Sequence, residues 1–169
     1  AHLLAVAPNA SSSIICGGTS PSIEPYRANV YTHKTLSGSF QVKNKYLEDI
    51  LQDKGLKKDE LTVLWKDIAG NEGSVQHLDV LTDDEKKIFK TANEIDQIWI
   101  IEHAAKRQEF ICQAQSVNLF FTIPTATETQ EVHDEYMQYV NDVHWYGMNK
   151  LKSLYYFRTN AARNAENVN

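Results

Sequence analysis

The chain has 169 residues, 42% hydrophobic and 23% charged, with a formal net charge of -5. That length supports one domain with a real core, and the acidic balance argues against nucleic acid as an obligatory partner. No apolar stretch reaches membrane-spanning length, and no secretory pattern opens the sequence.

The opening, AHLLAVAP, holds a continuous apolar run from Leu3 to Ala7. Such a run suits a strand buried on both faces. A chain rarely starts on a central strand. The expectation is a piece of a longer polypeptide, or a core that another chain completes. Pro8 stops the run. In PNASSSIICGG, Asn9 or Ser11 can cap a short helix to about Cys16, ended by Gly17-Gly18. Residues 19–30 read as an ordered loop with two prolines. YTHKTLSGSFQV predicts a hairpin turning at Ser37-Gly38.

KYLEDILQDKG predicts an amphipathic helix, with Leu47, Ile50 and Leu51 apolar and Gly55 as its stop. Residues 59–66 read as another helix, and AGNEGSVQHL as a loop. Thr82-Asp83-Asp84-Glu85 is a capping box. Ile88, Ala92, Ile95, Trp99 and Ala105 then follow at helical steps, so one helix to about Arg107 is expected, about 40 Å long. SVNLFFTI predicts a buried strand ended by Pro124. A second capping box at Thr127 to Gln130 opens a helix through Val132, Tyr136, Tyr139, Val140 and Val143 to about Lys150. LKSLYYFRT predicts a last strand. Residues 160–169 read as a polar tail, leaving 1–159 as the folded domain. Helices alternating with apolar strands indicate α/β with a largely parallel sheet or barrel.

Four features can carry chemistry. PNASSS lies after a strand and at a helix start, where N–H groups and the hydroxyls of Ser11, Ser12 and Ser13 would suit a phosphate; equally, the serines can simply cap the helix. Tyr155 and Tyr156 are adjacent phenols in an apolar run. They read either as strand packing or as a redox relay, since a phenol can lose an electron and a proton together. Regular alternation would send the two rings to opposite faces, whereas a relay wants them close. Cys112 reads as a buried or edge cysteine rather than a reactive thiol, and Cys16 sits at the wrong helix end for thiolate stabilisation. Glu24, between Ile23 and Pro25, is either a buried carboxylate with a raised pKa or a loop anchor accepting N–H bonds. The two cysteines form no CxxC, which favours a reducing, cytoplasmic compartment. The six histidines show no metal-ligand spacing, so no metal site is expected.

LLAVAPNASSS, SIEPYRANVYTHKTLSGSFQV, FICQAQSVNLFFTIP and LKSLYYFRT, in that order, resemble motifs from the C-terminal part of the class I ribonucleotide reductase large subunit. The resemblance implies a fold: α/β, the second half of a ten-stranded barrel, incomplete without an upstream chain. It also implies an activity, reduction of ribonucleotides to deoxyribonucleotides by radical chemistry. Asn9, Ala10, Ser11, Ser12 and Ser13 would hold the substrate's phosphates. Tyr155 would lie nearer the active-site cysteine and Tyr156 nearer the small subunit.

The family's catalytic cysteines lie upstream of the matched region, and neither Cys16 nor Cys112 matches one. By this resemblance the chain alone is inactive, and it is expected to be one half of a split large subunit, the other reading being a trimmed fragment of an intact one. The implied partners are the upstream part of the large subunit, a small subunit carrying a dimetal–tyrosyl radical, a ribonucleoside diphosphate, and thioredoxin or glutaredoxin as indirect reductant. No cofactor is expected in this chain, and no membrane or nucleic acid among its partners. The competing reading is a non-catalytic binding or assembly module that has kept the fold.

Overall fold

The structure, a computed structural model, describes residues 2–16, 20–36 and 38–160. The Gly17-Gly18 stop and the tail beyond Asn160 lie outside the described residues. In chain order the elements are α1 (Ala10–Ile15), β1 (Val30–Thr35), β2 (Gly38–Lys43), α2 (Lys45–Asp53), α3 (Lys58–Gly70) and α4 (Asp83–Ile88). There follow α5 (Gln97–Gln108), β3 (Leu119–Thr122), α6 (Gln130–Lys150) and β4 (Phe157–Asn160). The chain divides into two compact units. One joins residues 1–24 to 95–169, and the other is Pro25–Glu94.

In the Pro25–Glu94 unit, β1 and β2 form the expected antiparallel hairpin, with Val30 opposite Lys43 and Thr35 opposite Gly38. The Asn44 side chain caps α2 by accepting from the Tyr46 N–H. Gly55, at φ +82, ends that helical stretch in a conformation that glycine adopts without steric penalty. α3 runs from Lys58 to Gly70, longer than the spacing predicts. Leu47 and Leu51 of α2, Trp65 and Ile68 of α3, and Val75, Leu78, Leu81 and Phe89 make one apolar core with Val30. A buried polar knot ties it together. Asn29 Nδ2 donates to the carbonyls of Gly73 (3.0 Å) and Phe89 (2.8 Å), and Asn29 Oδ1 accepts from Asn44 Nδ2 (2.9 Å).

The single helix expected from Thr82 to Arg107 is two helices. The Thr82 capping box is present, with Thr82 N donating to Glu85 and Glu85 N to Thr82 Oγ1. α4 nevertheless stops at Ile88. The Phe89 carbonyl is taken by Asn29, the Ala92 N–H donates to the Tyr26 carbonyl, and the Glu94 carboxylate receives Thr91 N and Thr91 Oγ1. Asp96 then caps a new helix by accepting from the Ile98 N–H. Tertiary bonds have replaced the helical ladder. Two members of the supposed apolar stripe face outward: Ile88 is 72% and Trp99 62% exposed.

In the other unit, β3 and β4 pair in parallel, Leu119 opposite Phe157, with α6 as the connection between them. This is the strand–helix–strand pattern of a parallel sheet. Thr129, rather than Thr127, caps α6, accepting from the Val132 N–H. Leu119, Phe120 and Phe121 of β3 are buried with Val117, Ile100, Ile101, Ala104, Val143 and Leu151. Residues 4–6 add a further parallel pairing. Gln113 N donates to the Leu4 carbonyl, Val6 N to that of Ala114, and Ser116 N to that of Val6. Leu3 and Leu4 are not buried on both faces as expected; they are 87% and 58% exposed. The described residues form a mixed α/β arrangement with no closed barrel. No helix among them is long and apolar enough to cross a membrane.

Tyr139 of α6 secures the start of α5. Its oxygen accepts from the Gln97 N–H and its proton goes to Asp96 Oδ1, both at 2.9 Å. Burial, with smaller effects from Asp96, pushes the phenol up to about 12. Tyr139→Phe keeps the edge contact with Phe121 but loses both bonds, so unfolding free energy should fall by about 1–2 kcal/mol in chemical denaturation. The sign with pH follows from the raised value. The neutral phenol is favoured by folding, so its stabilisation is complete below the ordinary value of 10.0 and is lost as pH rises through about 12. The gap between wild type and variant should narrow over that window.

Candidate functional site

The predicted phosphate segment leaves the paired stretch at Val6, turns at Pro8 and enters α1. Asn9 is the N-cap residue, but its side chain makes no capping bond. Ala10 begins the helix, and Ser11 and Ser12 are exposed. First-turn N–H groups of a helix have no intrahelical acceptor, so this end presents donors. Ser13 differs from its neighbours. Its hydroxyl donates to the Asn9 carbonyl (2.8 Å) and accepts from the Ser22 N–H (3.1 Å). The five residues form one continuous segment, but their hydroxyls are not equivalent.

Tyr155 and Tyr156 sit just before β4, ahead of the regular ladder that starts at Phe157. Their backbone is fastened on the same side. Tyr155 N donates to the Val117 carbonyl (3.1 Å), and Leu119 N to that of Tyr156 (2.9 Å). The ring centroids are 4.1 Å apart with planes tilted by 51°. The conflict between strand alternation and ring proximity is resolved by placing the pair outside the regular strand. A hydrogen bond to the Tyr156 phenol, then the field of that neighbour, raises the Tyr155 phenol above its ordinary value. Both rings are about half exposed, and the Arg158 guanidinium lies 5.4 Å from the Tyr156 ring centroid.

Gly147 of α6 prepares this position. A Cβ there would come within 3.0 Å of Leu154 Cδ2 and 3.3 Å of Ile101 Cδ1. The bare backbone lets the segment leading into Tyr155 pack across the helix. Phe157 stacks on Phe121 at 5.5 Å, so β4 is also tied to the buried face of β3.

Cys112 is exposed rather than buried, and its Sγ accepts from the N–H groups of Leu3 (2.9 Å) and Leu4 (3.0 Å). Those bonds, Leu4's first, hold its thiol below the usual cysteine value. Cys16 is exposed at the end of α1. Glu24 is buried, and its carboxylate accepts from Asn118 Nδ2, whereas Asn118 Oδ1 is buried with no partner. Among the described residues no cluster of three or more His, Cys, Asp or Glu side chains is placed to hold a metal ion. Sequence reasoning missed Ser22, Asn118 and Gly147. Asn118, polar at the head of an apolar run, carried a readable signal; Ser22 and Gly147 matter only through contacts distant in sequence.

A family model described as the ribonucleotide reductase barrel domain matches residues 1–157. The ribonucleoside-diphosphate reductase large subunit of Invertebrate iridescent virus 6 is 45% identical over 167 residues, covering 98% of this chain and 16% of that protein. The large subunit of Caenorhabditis elegans is 37% identical over 165 residues, covering 96% of this chain and 19% of its own length. Among solved structures, the alpha subunit of the Actinobacillus ureae class Id ribonucleotide reductase superposes with a TM-score of 0.66 at 40% identity, over 91% of this chain and 25% of that one. The chain thus spans about a fifth of the length of these curated relatives. It belongs to the ribonucleotide reductase large-subunit family, within the barrel domain.

Proposed function

We propose that this chain works as the C-terminal part of a ribonucleoside-diphosphate reductase large subunit, holding the substrate's phosphates and relaying the radical. The observation that carries the reading is the tyrosine pair, with ring centroids 4.1 Å apart just before the regular strand begins. Asn9, Ala10, Ser11, Ser12 and Ser13 form the phosphate segment. The catalytic cysteines, the small subunit and its oxidising group lie outside this chain.

In the relay, the Tyr156 O–H gives one electron and one proton to the oxidised small subunit and becomes a neutral phenoxyl. Tyr155 then passes its hydrogen atom to the Tyr156 oxygen. Tyr156 is restored and Tyr155 holds the radical. Tyr155 regains a hydrogen atom from a cysteine thiol of the upstream part, leaving a thiyl radical there. The 4.1 Å separation of the two ring centroids suits this transfer.

The test is assembly. This chain, the upstream part of a large subunit and a small subunit are combined with a ribonucleoside diphosphate and a thiol reductant. Deoxyribonucleotide should form only when all three proteins are present. Failure of this chain to co-elute with the upstream part, or equal turnover without it, overturns the proposal.

A further inference from the structure

We propose that Ser22 is a positioning residue that sets the shape of the phosphate segment, and that Ser13 serves this brace instead of touching phosphate. This rests on the reading that Asn9 to Ser13 face the substrate's phosphates.

Ser22 has φ +55, a left-handed conformation disfavoured for a residue with a Cβ. Something must hold it there. Its N–H donates to Ser13 Oγ and its hydroxyl donates to the Ala7 carbonyl, both at 3.1 Å. Ala7 and Ser13 flank Asn9 to Ser12, so one residue grips the segment on both sides. The turn carrying Ser22 is itself anchored. The Glu24 N–H closes onto the Pro21 carbonyl, and the Glu24 carboxylate accepts from Asn118, buried immediately before β3. The shape of the segment is thereby referred back to the sheet.

The hydrogen-bond inventory divides the serines. A serine hydroxyl has one proton to donate. Ser13 spends its proton on the Asn9 carbonyl and offers a lone pair to the Ser22 N–H. No donor is left for an anion while the brace stands. Ser11 and Ser12 are the exposed hydroxyls of the segment and are assigned the direct contacts. A pre-shaped segment binds more tightly because its ordering is complete before substrate arrives.

The test uses the assembled reductase with a ribonucleoside diphosphate as the varied substrate. Ser13→Ala and Ser22→Ala should each raise KM about fivefold with kcat unchanged, the scale of one hydrogen bond in uniform binding. Ser13→Thr, which keeps the hydroxyl, should restore the wild-type KM. The double variant should raise KM by less than the product of the single effects, because both bonds hold the same turn. Full multiplication overturns the brace, since Ser13 then acts independently of Ser22. So does an unchanged KM in both single variants while Ser11→Ala and Ser12→Ala raise it. If none of the four alanine variants moves KM, the phosphate reading itself fails and takes the brace with it.

Discussion

Replacing either Tyr155 or Tyr156 by phenylalanine should lower turnover of the assembled reductase by on the order of a thousandfold or more, the scale lost when one member of a group acting as a unit is removed. The substitution is surgical. Phenylalanine keeps the ring and its packing but has no O–H to give up. Each ring is about half exposed, so stability should change by less than about 0.5 kcal/mol. Co-elution with the small subunit should be unchanged. The Tyr155 phenol is held above its ordinary value, so at neutral pH this residue keeps its proton. Deoxyribonucleotide formation per enzyme is the readout, with substrate binding measured beside it. Unchanged turnover would remove the relay role and leave a binding or assembly module.

The second large effect concerns stability. Asn29→Leu should destabilise the Pro25–Glu94 unit by about 2–5 kcal/mol, because a buried polar group that loses its partner costs about 1–3 kcal/mol. Leucine repeats asparagine's branching but is bulkier, so overpacking at this buried site adds to the polar loss. The Asn29 side chain satisfies the Phe89 carbonyl and Asn44 Nδ2 and makes a second bond to the Gly73 carbonyl. The Gly73 carbonyl still receives the Asn29 N–H, so the Phe89 and Asn44 groups are the two orphans. Chemical denaturation should show an earlier midpoint with an unchanged slope. A double-mutant cycle with Asn44→Ala should give a coupling of about 0.5–3 kcal/mol, the range for residues sharing one network. A loss under about 1 kcal/mol would mean that water reaches the orphaned groups.

The same knot explains the largest misreading of secondary structure. Ile88, Ala92, Ile95 and Trp99 keep helical spacing across the break. Spacing registers side-chain polarity, not which carbonyl a distant amide has claimed. Asn29 lies 60 residues from Phe89 in sequence, and the bond between them ends α4. Asp96 was a readable cap, hidden by the continuing stripe. Local signals succeeded elsewhere because their partners are local. The Thr82 box closes within three residues, and Gly55 stops α2 just after its last turn.

By itself the sequence determined the α/β class, the hairpin, the 21-residue helix α6, the apolar strand at β3 and the ordered motifs that mark the family. These depend on residue type and short spacing, which a linear reading contains. It also singled out the proposed phosphate segment, Asn9 to Ser13, and the adjacent tyrosines. Only the tertiary structure decided how the serines divide, because Ser13 is committed by Ser22 across a turn. Only it showed the two phenols within 4.1 Å, because their backbone is pinned to Val117 and Leu119 before the regular strand begins. Each of these outcomes is a hydrogen bond between residues distant in sequence, and such bonds leave no periodicity to read.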